Sequence, residues 1–409
     1  MTRWAEHAIW WQVYPLGFTG AEATSRPGVV HRLAQVENWL DYAIELGCSG
    51  LLLGPVFASE THGYDTVDHF RIDPRLGDDA DFDRLVAQAK RRGLRIALDG
   101  VFNHVARSFE APPEWFRRRD DGSLDTFEGH EPLVALDHGQ PAVAQYVRDV
   151  LSHWLGRGVD GWRLDVAYAV PPEFWREVLP REQYPDAWFF GEVIHGDYAG
   201  YVAESGLDSV TQYELWKAIW SSLNDRNFFE LAYALGRHEA LLDTFVPQTF
   251  VGNHDVTRLA TRLEDERHLG HALAILFAVG GVPSIYAGDE QAFRGVKEDR
   301  AGGDDAIRPA FPDTPDELAP QGWPTYRLHQ RLIGVRRRAA LTRGRTKVEH
   351  LANELIALRT SGGGEVLLLL NISDDAHRFD VDAAGLTALE PTGDPLLVPA
   401  HSWRLLTTP

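Results

Sequence analysis

The sequence predicts a closed (β/α)8 TIM barrel followed by a small antiparallel β domain, and three observations carry that prediction. Short apolar runs alternate with amphipathic helical stretches up to about residue 338. Such alternation builds a parallel sheet, and a region of this length suits closure into a barrel. Acidic residues stand at the C-terminal ends of the predicted strands: Asp99 at the third, Asp165 at the fourth, Glu192 at the fifth and Asp255 at the seventh. From about residue 346 the pattern turns to short alternating strands, such as 365–370 and 401–406. A doubly wound open sheet would also alternate, but no Gly-rich phosphate turn follows the first strand.

Residues 9–15 read as the first strand. Residues 31–46 read as a helix with Leu33, Val36, Leu40, Ala43, Ile44 and Leu46 inward and Gly47 as its stop. Residues 50–57 form a continuous apolar run, as expected for a strand covered on both faces. A loop over 59–78, rich in His, Asp and Tyr, leads to a helix capped near Asp79 or Asp81 that buries Phe82, Leu85, Val86 and Ala89. The third strand is 94–99. The connection 103–140 is longer than the rest, with Pro112-Pro113, a charged run at 117–121 and little periodicity. It reads as a lid or small subdomain inserted after strand three, where binding loops usually live. Trp115 and Phe116 are its candidates for ligand contact.

An amphipathic helix at 141–155 then leads, through Gly156 and Gly158, to the fourth strand. Further strands are expected at 187–192, near 207–213, at 249–252 and at 282–286. The chain therefore divides into a barrel (1–102 and 141–338), the inserted lid (103–140) and a β-sandwich-like domain (345–409).

Composition narrows the function. The 409 residues are 44% hydrophobic, with 13 Trp, 19 Phe and 12 Tyr, enough for a large core. The formal charge is −20, and no basic cluster is dense enough to track a phosphate backbone, which argues against nucleic acid as a partner. The single cysteine, Cys48, can form no intrachain disulfide and reads as a buried small residue. No apolar run is long enough to span a bilayer, and no charged-then-apolar signal segment follows Met1, so a cytoplasmic protein is expected.

At the fourth strand Arg163 and Asp165 are two residues apart, so they point to the same side. A cation beside a carboxylate keeps it ionised, as a nucleophile requires. Alone, such a pair is more often structural; its weight comes from the recurrence of carboxylates at neighbouring strand ends, which a barrel gathers on one face. Arg163, His104 and His254 are placed in sequence to offset their repulsion.

Together these segments resemble the α-amylase family, glycoside hydrolase family 13. The resemblance rests on Asp99-Gly-Val-Phe-Asn103-His104, Gly161-Trp-Arg163-Leu-Asp165, Gly191-Glu192-Val and Val251-Gly-Asn253-His254-Asp255, in that order. His62-Gly63-Tyr64-Asp65 and the stretch from Gly281 to Glu290 support it. The resemblance implies a retaining α-glucosidic hydrolase, with Asp165 as nucleophile, Glu192 as acid/base with a raised pKa, and Asp255 as the third carboxylate binding sugar hydroxyls. It places His104 and His254 as hydrogen-bond donors to the same sugar ring, Tyr64 as a stacking platform and Asp65 in closing the first subsite. Arg163, Asp99 and Arg308 complete the expected binding set. Read without the resemblance, Asp99 is a buried support, His104 a scaffold histidine, Asp65 a loop residue and Arg308 a surface base. Trp162 and Trp175 read as core.

Two departures matter. Tyr168 and Ala169 stand where many α-amylases carry Lys-His, a pair linked there to substrate and to calcium. Asn103 offers one possible calcium ligand, but no full set can be assembled, so neither a firmly bound metal nor another cofactor is expected. The motif around Asp165, followed by Phe174-Trp175-Arg176, is more similar to the neopullulanase and cyclomaltodextrinase members, and Val166 also occurs in α-1,6-glucosidases of the family. The expected substrate is therefore a short malto- or isomalto-oligosaccharide. A transglycosylase or isomerase of the same fold is the alternative, and a non-catalytic carbohydrate-binding homologue the remote one.

Overall fold

The computed structural model describes residues 4–25, 27–300, 302–390 and 393–409. Eight parallel strands form the central sheet: β1 Trp10–Val13, β2 Gly50–Leu53, β3 Arg95–Gly100, β4 Gly161–Leu164, β5 Trp188–Gly191, β6 Ser209–Val210, β7 Gln248–Thr249 and β8 Val282–Tyr286. Their order is β6-β5-β4-β3-β2-β1-β8-β7. The ring closes where Thr211 bridges Gln248 in parallel and Gln212 N donates to Gln248 O.

Side-chain size explains the closure. In one layer of the interior Trp10 stacks on Trp188 with ring centroids 5.5 Å apart, and Phe190 stacks on Trp188 at 4.4 Å. Small residues face these rings: a Cβ at Gly50 would lie 2.7 Å from the Trp10 ring, and one at Gly161 2.5 Å from Trp188 O. Large and small residues thus alternate around the ring, as the taper of a filled barrel requires. The opposite faces of the strands, with Trp11, Leu51, Leu53, Ile96, Leu98, Trp162 and Phe189, pack under the helices, and Trp175 is buried there too.

Several expected boundaries shift. The helix expected over 31–46 divides into Leu33–Glu37 and Leu40–Leu46. At the break Gln35 and Trp39 donate to Pro312 O, and Asn38 donates to Asp313 O. After it Tyr42 turns inward and Ile44 is 37% exposed. β2 stops at Leu53, and the expected loop 59–78 contains an antiparallel hairpin, Phe57–Ser59 with Thr66–Ile72. The following helix is capped by Asp78, whose side chain and Asp81 form a reciprocal capping box. β7 ends at Thr249, so Gly252 lies beyond the strand.

The insertion after β3 carries a short hairpin, His104–Ala106 with Leu133–Ala135. At the C-terminal end, β9 Arg345–Leu351, β10 Leu355–Ser361, β11 Glu365–Asn371, β12 Thr387–Ala388 and β13 Ser402–Thr407 form an antiparallel sheet in the order β9-β10-β11-β13-β12. One face buries Ala357, Leu367, Leu369 and Leu406 with Phe379 and Val398. Among the described residues no helix is long and apolar enough to cross a membrane.

Candidate active site

The C-terminal ends of the strands open on a cavity of about 1350 Å³. Asp165 and Glu192 line its floor, and beneath them lies Arg163, buried at the end of β4. Its Nη1 donates to both oxygens of Asp99 at 2.7 Å and to Asp165 Oδ1 at 2.9 Å, while Nη2 lies 2.7 Å from Glu192 Oε1. One guanidinium therefore joins three carboxyl groups from β3, β4 and β5, all buried. The same-side placement of Arg163 and Asp165 follows from the two-residue pleat.

Donors are shared unequally in this cluster. Glu192 Oε1 also accepts the Tyr213 hydroxyl at 2.9 Å, and Oε2 accepts Val166 N–H at 3.1 Å. Val166 reaches it by taking left-handed φ 48°, ψ 36°, an uncommon conformation for a β-branched residue and a local strain placed directly after Asp165. Burial pushes the Asp165 carboxyl well above its ordinary range, with Arg163 opposing and the charges of Glu192, Asp99 and Asp255 adding. Burial raises Asp99 as well, again against Arg163. Arg163 favours the Asp165 anion, as expected, but this one cation is divided among three acids.

Asp255 stands at the rim, its side chain 30% exposed, with His254 Nε2 at 2.9 Å from Oδ2 and Arg308 Nη2 at 2.8 Å from Oδ1. Burial would raise this carboxyl, but His254 and Arg308 outweigh it and hold Asp255 far below the usual range. Arg308 is no surface base: it is nearly buried, donates to His254 O, pairs with Asp304 and lies over the Tyr14 ring at 4.7 Å. The Tyr64 ring is parallel to His254 at 5.2 Å, and its hydroxyl meets His254 Nε2 and donates to Asp99 Oδ2 at 3.1 Å. His254 Nδ1 is fixed by Gln12 Nε2 at 3.0 Å.

His104 lines the cavity, stacked on Phe127 at 4.6 Å, and burial lowers its pKa to about 3, so it is a neutral imidazole. Asp65 is placed differently. It is buried beneath the rim, where Oδ2 accepts the Thr61 N–H at 2.8 Å and the Thr61 hydroxyl at 2.5 Å, so it braces the loop rather than lining the cavity. Of the insertion, Phe127, Glu128, His130 and Leu133 line the cavity. Trp115, expected at the ligand, packs instead on Tyr146 at 5.2 Å, and Phe116 is likewise absent from the wall.

The sequence reading missed Tyr213, Asn253, Gln12 and Tyr14. Asn253 donates to the Tyr213 hydroxyl at 2.9 Å and accepts Asp255 N–H at 2.8 Å, so it links two of the acids. Its place within the Asn-His-Asp run was a usable signal; Tyr213 and Gln12 had none. Asn103, the possible calcium ligand, is buried, and its Oδ1 accepts no hydrogen bond from the described residues. Groups of three potential His, Cys or acidic ligands occur among the described residues only at 31, 78 and 81 and at 265, 268 and 401.

A barrel that gathers carboxyl groups with Tyr and His side chains around one cavity at its strand ends has the arrangement of a barrel enzyme's active site. The family described as alpha amylase, catalytic domain, matches residues 12–138 and 124–317. Neopullulanase 2 of Thermoactinomyces vulgaris is 30% identical over 418 residues, covering 90% of this chain and 70% of that protein. The cyclomaltodextrinase of Geobacillus thermopakistaniensis is 28% identical over 437 residues, covering 93% and 72%. Among solved structures, the cyclic alpha-maltosyl-(1→6)-maltose hydrolase of Arthrobacter globiformis superposes with a TM-score of 0.83 at 23% identity, over 100% of this chain and 99% of that one. The chain belongs to the α-amylase family and is a glycoside hydrolase.

Proposed function

We propose that the protein hydrolyses α-glucosidic bonds of short malto- or isomalto-oligosaccharides through a covalent glycosyl–Asp165 intermediate. The observation that carries this is the placement of Asp165 and Glu192 on the two ends of one guanidinium, at the floor of the cavity. That bridge is compatible with the ~5–5.5 Å carboxyl separation of retaining hydrolysis. The names of the relatives, neopullulanase and cyclomaltodextrinase, support small α-glucans as substrates.

In the first step an Asp165 oxygen bonds to the anomeric carbon, the glycosidic C–O bond breaks, and the leaving oxygen takes the proton of Glu192. In the second, Glu192 removes a proton from water, which attacks the same carbon and releases Asp165 with retained configuration. Asp255, kept anionic by Arg308 and His254, binds sugar hydroxyls. Tyr64 offers an aromatic face to the apolar face of the ring, and neutral His104 can donate to a hydroxyl.

Asp165→Asn tests the reading. Turnover of an activated aryl α-glucoside should fall by about 10⁴-fold or more, while the fold, followed by circular dichroism, stays intact. Undiminished turnover would overturn the assignment. A product profile on maltotriose, panose, isomaltose and a cyclodextrin then names the bond, and longer products in the presence of acceptor sugar would favour transfer over hydrolysis.

A further inference from the structure

We propose that Asp265, His268 and His401 form a site for a divalent cation of the zinc type, joining the barrel to the C-terminal sheet. Asp265 and His268 belong to the connection after β7, flanking and closing the single turn Glu266–His268, whereas His401 lies in the turn that enters β13. His268 Nε2 and His401 Nδ1 are 3.1 Å apart, and Asp265 Oδ2 lies 4.0 Å from the first and 3.8 Å from the second. The two longer edges are outside hydrogen-bond range. Together the three edges bracket the roughly 3.3–3.5 Å between ligands held about 2.0–2.1 Å from a tetrahedral ion.

The neighbours prepare these atoms as ligands. His401 Nε2 lies 2.8 Å from Asp374 Oδ1, so the carboxylate takes the ring N–H and leaves the Nδ1 lone pair facing the other two groups. A carboxylate behind the imidazole is the usual support of a metal-bound histidine. Both histidine side chains are almost fully buried, so their positions are set by packing on either side of the boundary. Arg267 donates through Nε to both oxygens of Asp265 and through Nη2 to Oδ2 and keeps it ionised, so an ion would take the place of the longer, 3.0 Å Nε bond at Oδ2. The two rings are 24° from parallel with centroids 5.3 Å apart, so closing on an ion takes a rotation about the soft χ2 torsion. His401 itself holds a left-handed φ of 48°, which fixes the direction from which its ring enters. Two imidazoles and one carboxylate leave the fourth position to water, on the side of a cavity of about 260 Å³ bordered by Arg267, His401 and Trp403.

The test uses the full-length protein, stripped with chelator and dialysed, then titrated with Zn²⁺ by calorimetry and with Co²⁺ as a spectroscopic probe. One equivalent should bind, Co²⁺ should give the intense visible bands of a tetrahedral site, and zinc should raise Tm. His268→Gln and His401→Gln should lose this equivalent, and Asp374→Asn should weaken it by about 10-fold, with aryl α-glucosidase activity in metal-free buffer unchanged. Should a histidine variant fail to fold, Asp374→Asn decides, since that side chain is 76% exposed. Absence of binding to the wild type, or equal binding to wild type and Asp374→Asn, would overturn the site.

Discussion

At Glu192 the structure shows a support that a motif does not. Three donors, from Arg163, Tyr213 and Val166, converge on its carboxyl and fix its position, and Asp165 accepts from Arg163. The reaction needs Asp165 anionic and Glu192 protonated. Two outcomes follow at this scale. Because burial raises Asp165 and its anion attacks, kcat/KM should fall on acidification at a pH above the ordinary Asp value of 3.8. Tyr213→Phe removes the hydroxyl that holds Glu192 Oε1 at 2.9 Å; the loss of one hydrogen bond of about 1 kcal/mol that positions the acid/base should lower kcat by about 5-fold. An unchanged kcat would mean that Tyr213 only packs. Asp165, Glu192 and Asp255 were legible because each ends or follows a strand in a recognisable run. Tyr213 and Gln12 were not, because their partners lie 21 and 242 residues away, and the local bracing of Thr61 by Asp65 depends on a loop conformation that no periodicity marks.

Among the elements, the helix Leu269–Ala278 shows what alternation alone leaves out. Every residue from His271 to Ala278 is buried, so the helix has no polar face to orient it, and its C-terminal carbonyls cannot turn to water. Arg336, inside the helix Trp323–Arg338, meets them: Nη1 donates to Phe277 O at 3.2 Å and Val279 O at 2.5 Å, and Nη2 donates to Gly281 O. Burial draws this guanidinium down to about 9, the cost of a charge placed there to satisfy carbonyls. Arg336→Met should destabilise the protein by about 2–4 kcal/mol, the loss of charged hydrogen bonds less the relief of desolvation. Urea unfolding reads this directly, and an unchanged midpoint would show that the carbonyls find other partners. In sequence Arg336 sits in a basic run, Arg336-Arg337-Arg338, that gives no sign of which member turns inward. The break in the helix expected over 31–46 was hidden for the same reason, since the acceptors at Pro312 and Asp313 lie far along the chain.

For the molecule as a whole, the question is whether the barrel needs the C-terminal sheet. The cavity-lining residues all precede it, the last of them being Ala310, so nothing in the proposed chemistry requires residues beyond β8 and the loop after it. Packing says otherwise. His271 Nε2 bonds to Asn371 O and Ser402 O across the domain boundary, Phe228 N donates to Asn353 O, and Arg226 pairs with Glu354. The outer side of the Leu269–Ala278 helix is covered by β11 and β13. A chain ending at Gly344 would present this apolar helix to water and leave buried polar groups without their partners, a combination that favours association over a folded monomer. The truncated protein should therefore collect in the insoluble fraction, and any soluble part should melt well below the full chain while keeping its KM, because the floor of the site is untouched. A soluble 1–344 fragment with an unchanged Tm would show that the barrel closes its own core and that the sheet serves another purpose.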